Sequence, residues 1–157
     1  MADSLCGLDH DEQRRELKAK AIQLLARREH GRKELSSKLP EADAGIVDQV
    51  LDQLELDGYL SDQRYASMLL RSRFSQGYGL QRVRADLIKK GVSLDWLELA
   101  EEEEQPDWFE LAREQLHRKF RDGIADDFKQ RNKQMRYLQG RGFSFDQIKY
   151  ALSPTEE

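Results

Sequence analysis

Lys129, Lys133 and Arg136 stand at i, i+4 and i+7, so on a helix they form one cationic stripe. Such a stripe can meet a phosphate backbone or an acidic protein surface. A second set lies earlier in the chain. Arg82 and Lys89 are seven residues apart, on the side of their predicted helix opposite Val83 and Leu87, and Lys90 flanks them. Arg71 and Arg73 extend that patch from the end of the preceding helix, while Lys119 and Arg121 close another helix. A cation in a last helical turn also offsets the helix dipole, so a purely structural role is open to these last four. Together the ten side chains are the candidate binding groups for an anionic partner.

Catalytic chemistry finds no comparable pattern. His10, His30 and His117 are isolated, without the His-x-x-x-His spacing of a metal site. Cys6 is the single cysteine, which excludes an intramolecular disulfide and a cysteine-rich metal site. Gly77-Tyr78-Gly79 lies between two predicted helices rather than after a strand, where a nucleotide loop would need it. A helix carrying Glu101 to Glu104 spreads those carboxylates around its circumference instead of aiming them at one cation. The expectation is a non-enzyme with no cofactor and no metal.

The formal net charge of −4 conceals a block pattern. Residues 62–93 carry 7 basic and 2 acidic side chains, and residues 111–142 carry 9 and 4. Between them, residues 94–110 carry 8 acidic side chains and no basic one. Two cationic segments separated by an anionic one can aim a protein at a polyanion or an acidic surface. No run approaches the roughly 20 apolar residues of a membrane span. The amino terminus lacks the basic start and apolar stretch of a signal peptide. A reduced, cytoplasmic, monomeric protein without membrane association is expected.

The apolar period near 3.6 residues predicts about nine helices and no strand. The first spans roughly 11–28, with Leu17, Ala21, Leu24 and Leu25 on one side, and Gly31 interrupts it. A short helix then runs to Leu39 and is stopped by Pro40. Asp43 is a candidate cap for the third helix, whose stripe is Ile46, Val47, Val50, Leu51 and Leu54. Ser61 and Ser93 read as N-caps of the fourth and sixth helices. Pro106 suits the first turn of the seventh, with Phe109, Ala112, Leu116 and Phe120 as its stripe. Ser144 with Gln147 fits a capping box for the ninth.

A repeat organises these helices. Lys90-Gly91-Val92-Ser93-Leu94-Asp95 returns as Arg141-Gly142-Phe143-Ser144-Phe145-Asp146: basic, glycine, apolar, serine, apolar, aspartate. Arg32, Glu34, Leu35 and Lys38 map more weakly onto Arg84, Asp86, Leu87 and Lys90. The reading is an all-α, elongated tandem array of three three-helix repeats, over 9–60, 61–105 and 106–152. Units this small bury little alone, so neighbours must share contacts.

Several motifs in order carry a family resemblance. Leu24-Leu25-Ala26-Arg27-Arg28-Glu29-His30-Gly31-Arg32-Lys33-Glu34-Leu35 resembles the opening motif of the bacterial RecX regulatory proteins. Leu51 to Leu54, Asp57 to Ala66, Leu70 to Arg73, the Gly77-to-Gly79 turn and Val83 to Val92 continue the likeness. Leu138 to Asp146 is similar to the family's closing repeat. The resemblance covers about residues 12–152. It implies a modular helical protein that lies in the groove of the RecA recombinase filament on DNA. It also implies restraint of recombination, ATP hydrolysis and co-protease activity in DNA repair and the SOS response. Some members bind DNA directly, and a direct DNA-binding helical regulator is the alternative expectation here. Glu101 to Glu104 fits no motif of the family.

Overall fold

A computed structural model describes residues 4–154 and holds nine helices and no strand among them. These are α1 (His10–Leu25), α2 (Arg32–Lys38), α3 (Ile46–Leu56), α4 (Asp62–Ser75), α5 (Leu80–Lys90), α6 (Leu94–Glu104), α7 (Trp108–Lys119), α8 (Phe128–Gly140) and α9 (Phe145–Ala151). Each start has a local cause. Asp9, Ser61, Asp107 and Asp127 each accept a bond from the backbone N–H three residues on, relieving one orphan donor of the first turn. Ser93 accepts from the Asp95 N–H, and Ser144 and Gln147 complete the reciprocal capping box.

One arrangement recurs three times. The first helix of a unit packs chiefly on its third: α1 on α3, α4 on α6, α7 on α9. The middle helix contributes a leucine near its end to each core. Leu35, Leu87 and Leu138 are all fully buried, which gives the repeat of 51 to 52 residues its packing content. The cores, however, do not divide three ways. Leu17, Ala21, Leu35, Ile46, Leu51, Leu54 and Leu60 belong to one cluster of the first unit. A second cluster runs without a break from Tyr65 to Leu152 and joins the second and third units. The accessible surface is 10148 Å², above the roughly 8,200 Å² expected for a compact monomer of this mass. The array is extended.

The units meet through turns. In the second unit, the turn before α5 receives the turn after α8. The Gly79 N–H donates to the Arg141 carbonyl at 2.8 Å and the Gln81 N–H to the Gly142 carbonyl at 3.0 Å. A Cβ on Gly79 would lie 2.5 Å from the Gly142 oxygen and 2.8 Å from the Phe143 ring. The first unit repeats this with its own turn before α2. A Cβ on Gly31 would lie 2.9 Å from a Val92 methyl. The repeated hexapeptide is therefore the joint: its glycine turns the chain left-handed (φ +72° at Gly91, +97° at Gly142), and its apolar residue plugs the N-cap glycine of the preceding unit. The first unit instead ends α2 on Lys38, with Leu39 extended and buried in its own core.

Three local expectations need correction. Asp43 does not cap α3; Gly45 does, at φ +83°. The Asp43 carboxylate accepts from the Gln13 amide at 3.1 Å and lies 3.0 Å from the His10 ring, docking α1 on the α3 entry. Pro106 precedes α7, whose N-cap is Asp107. The buried face of α7 is Trp108, Leu111, Ala112, Gln115 and Leu116, while Phe109 is 43% exposed against the Tyr150 ring. Trp108 takes the inward place because its ring meets Phe74 edge-on at 5.5 Å, from the far side of the joint.

Candidate interaction faces

The ten candidate cations separate once their neighbours are seen. Val83 and Leu87 are fully buried, so α5 does turn its other side outward. Yet Arg73 Nε lies 2.7 Å and Arg82 Nε 3.2 Å from the same Asp86 carboxylate oxygen. The Arg82 guanidinium also sits 4.6 Å from the centre of the Tyr78 ring, and that of Arg141 3.9 Å from it. Arg141 donates as well to the Gln76 and Gly77 carbonyls, so this group holds the joint between the second and third units. Arg71 pairs with Glu104 at 2.8 Å. Lys89 is exposed and forms no ion pair among the described residues.

Lys90 lies in the other joint. Its Nζ is 2.8 Å from Glu34 Oε2, and the Arg28 guanidinium grips both Glu34 oxygens at 2.9 Å. The Glu34 side chain is only 4% exposed. Hydrogen bonding from Arg28, supported by Lys90, outweighs its burial and pulls its carboxyl pKa down to about 2. His30, buried beside it, donates from its ring Nδ1 to the Arg28 carbonyl, 3.0 Å away, and burial lowers its pKa below the ordinary value.

The α8 stripe differs. Lys129, Lys133 and Arg136 are all exposed, and none is ion-paired among the described residues. Gln134 and Leu138 bury the opposite side, and Arg131 ties that side to the Leu152 carbonyl at 3.4 Å. Phe128 stands at the head of the stripe, 80% exposed. Sequence reading passed over it, though an aromatic directly before Lys129 and off the apolar stripe was the available signal. Lys119 Nζ lies 5.8 Å from the Tyr137 ring centre, and Arg121 is exposed in the following turn. Neither of the two is brought to the α5 patch by any contact in the structure.

The acidic run is partly structural. Glu104 holds Arg71, and Glu101 accepts from the Trp108 indole N–H at 3.2 Å, while Glu102 and Glu103 face solvent. Among the described residues no three His, Cys, Asp or Glu side chains are grouped to hold a metal ion. Nor is any described helix long and apolar enough to cross a membrane.

The models of the second and third three-helix domains of RecX match residues 61–100 and 105–152. Regulatory protein RecX of Vibrio cholerae serotype O1 (strain M66-2) is 45% identical over 150 residues, covering 87% of this chain and 91% of the relative. The chain belongs to the RecX family. Regulatory protein RecX of Vibrio campbellii is 44% identical over 146 residues, covering 89% of this chain and 92% of its own. The RecX crystal structure from Lactobacillus salivarius shares the fold at a TM-score of 0.73 and 19% identity, over 90% of this chain and 96% of that one. A further RecX crystal structure aligns at a TM-score of 0.72 and 20% identity, over 87% and 71% of the two chains. The tandem all-helical architecture is thus that of RecX, and the relatives named here are regulatory proteins.

Proposed function

We propose that this RecX-family chain binds the RecA recombinase filament on DNA and restrains its recombinase, ATPase and co-protease activities, as a cytoplasmic monomer that catalyses nothing itself. The observation that carries the reading is the α8 face: three exposed cations without acidic partners among the described residues, on an extended array of joined units. Paired cations such as Arg73 and Lys90 have already given their charge to the fold. Unpaired ones keep theirs for a partner, where charge complementarity sets encounter rate and register. An extended array can also touch several subunits of a polymer at once, which raises avidity beyond any single contact.

Titration against RecA filament on single-stranded DNA, RecA alone and DNA alone, each at two salt concentrations, tests this. Saturable binding to the filament, tighter than to bare DNA, is expected. Tight binding to bare DNA with a steep salt dependence and none to the filament overturns it. That outcome would favour direct DNA binding, for which Phe128 beside Lys129 offers a stacking ring next to a phosphate contact.

A further inference from the structure

The two joints are built from the same turns but held by different forces. The joint between the second and third units lies inside one continuous apolar cluster, with Phe143 plugged against Gly79 and Phe74 against Trp108. Two backbone hydrogen bonds cross it. The joint between the first and second units separates two distinct clusters. Val92 is its apolar plug, and the Tyr65 ring lies 3.8 Å from the place of a Cβ on Gly31. Every other tie named across it is polar: Lys90 to Glu34, the Arg32 N–H to Asp62 at 2.7 Å, and Arg64 to Glu29 at 2.9 Å. The chain crosses from one cluster to the other between Leu60, buried in the first, and Asp62, the first residue of α4.

We propose that residues 10–60 form an arm that pivots at Ser61 as a rigid body and is latched by the ion pair between Glu34 and Lys90. Opening that joint exposes mainly charged groups that water can solvate, with Val92 and the edge of the Tyr65 ring as the apolar side chains against Gly31. Opening the other would expose a shared core, at the usual cost per area of apolar surface. The asymmetry makes the first joint the place where the array bends, and the latch sets how much. A helical array that bends at one joint can follow surfaces of different pitch while its other two units stay fixed to each other.

The test uses the full chain with Cys6→Ser and spin-label pairs at exposed helix positions. Labels at Gln23→Cys and Glu98→Cys span the first joint, and labels at Glu98→Cys and Lys149→Cys span the second. In the latched protein both distance distributions are narrow. With Glu34→Gln or Lys90→Met added, the first distribution is expected to widen at least two-fold while the second stays as it was. Unchanged widths across the first joint, or equal widening across both, overturn the proposal. Hydrogen exchange on the unmodified protein gives a reading that does not depend on the variants folding. The Arg32 amide, held by Asp62, should exchange at least ten-fold faster than the Gly79 and Gln81 amides, which bond across the second joint. Equal protection of all three overturns the hinge.

Discussion

Glu34 and Lys90 are 56 residues apart in sequence and 2.8 Å apart in space. With Arg28 also hydrogen-bonded to it and Lys38 Nζ 3.9 Å away, Glu34 is a nearly buried carboxylate held by cations from two units. Burial alone would make such a group costly, and its bidentate partner offsets that cost.

A pH dependence follows with a definite sign. The Glu34 carboxyl titrates near 4.5 when unfolded and about 2 when folded. A depressed carboxyl stabilises the fold fully above its unfolded value, and that stabilisation fades as pH falls from about 4.5 towards 2. The shift corresponds to about 3 kcal/mol at neutral pH. Urea unfolding of the parent and of Glu34→Gln should differ most at pH 6 to 7 and converge only as the pH reaches about 2 and below. A difference that does not vary with pH contradicts this.

The joint glycines should respond unequally. At Gly79 an added methyl meets the Gly142 backbone oxygen, which cannot step aside. Gly79→Ala should cost about 3 kcal/mol in chemical denaturation. At Gly31 it meets a Val92 methyl, and Gly31→Ala should cost about 1 kcal/mol. The double variant Gly31→Ala/Val92→Ala should cost less than the sum of its parts, because the clash is gone.

Charge reversal separates the two cationic faces. Replacing Lys129, Lys133 and Arg136 by glutamate should leave stability within about half a kcal/mol per position. Inhibition of RecA strand exchange should weaken at least ten-fold. Reversing Lys90 instead sets a carboxylate against Glu34 and should lower the melting temperature before any partner is added. If the α8 triple variant remains folded and inhibits as well as the parent, the stripe is only a solvated helix face.

Small-angle scattering should give a radius of gyration above the roughly 15 Å of a compact globule with this many residues. A value at or below 15 Å contradicts the extended array.

Helices, the serine caps and the repeat were legible without coordinates, because each is a local matter, whereas Asp43 left the expected cap of α3 for partners on α1. Ser61, Ser93 and the Ser144–Gln147 box lie within a turn of the amides they satisfy, so residue type and spacing suffice. Leu87 announces its burial by its period with Val83, while the burial of Leu35 and Leu138 emerged with the fold. The hexapeptide at 90–95 and 141–146 was visible as a repeat, but its work as a joint was not. Its partners are Gly31 and Gly79, in other units, and no local pattern pairs a plug with its socket. The same limit governed the charges. Arg71, Arg73, Arg82 and Lys90 look as available as Lys129, Lys133 and Arg136 in sequence. Arg82 stands four residues before Asp86, a spacing the sequence did show, but Glu104 reaches Arg71, Asp86 reaches Arg73 and Glu34 reaches Lys90 only through the fold. Sequence thus determined the secondary structure, its repeat and the family. Tertiary structure decided most of which charges remain for a partner, and that one joint shares an apolar core while the other is held chiefly by polar ties, since these depend mainly on long-range proximity rather than on spacing along the chain.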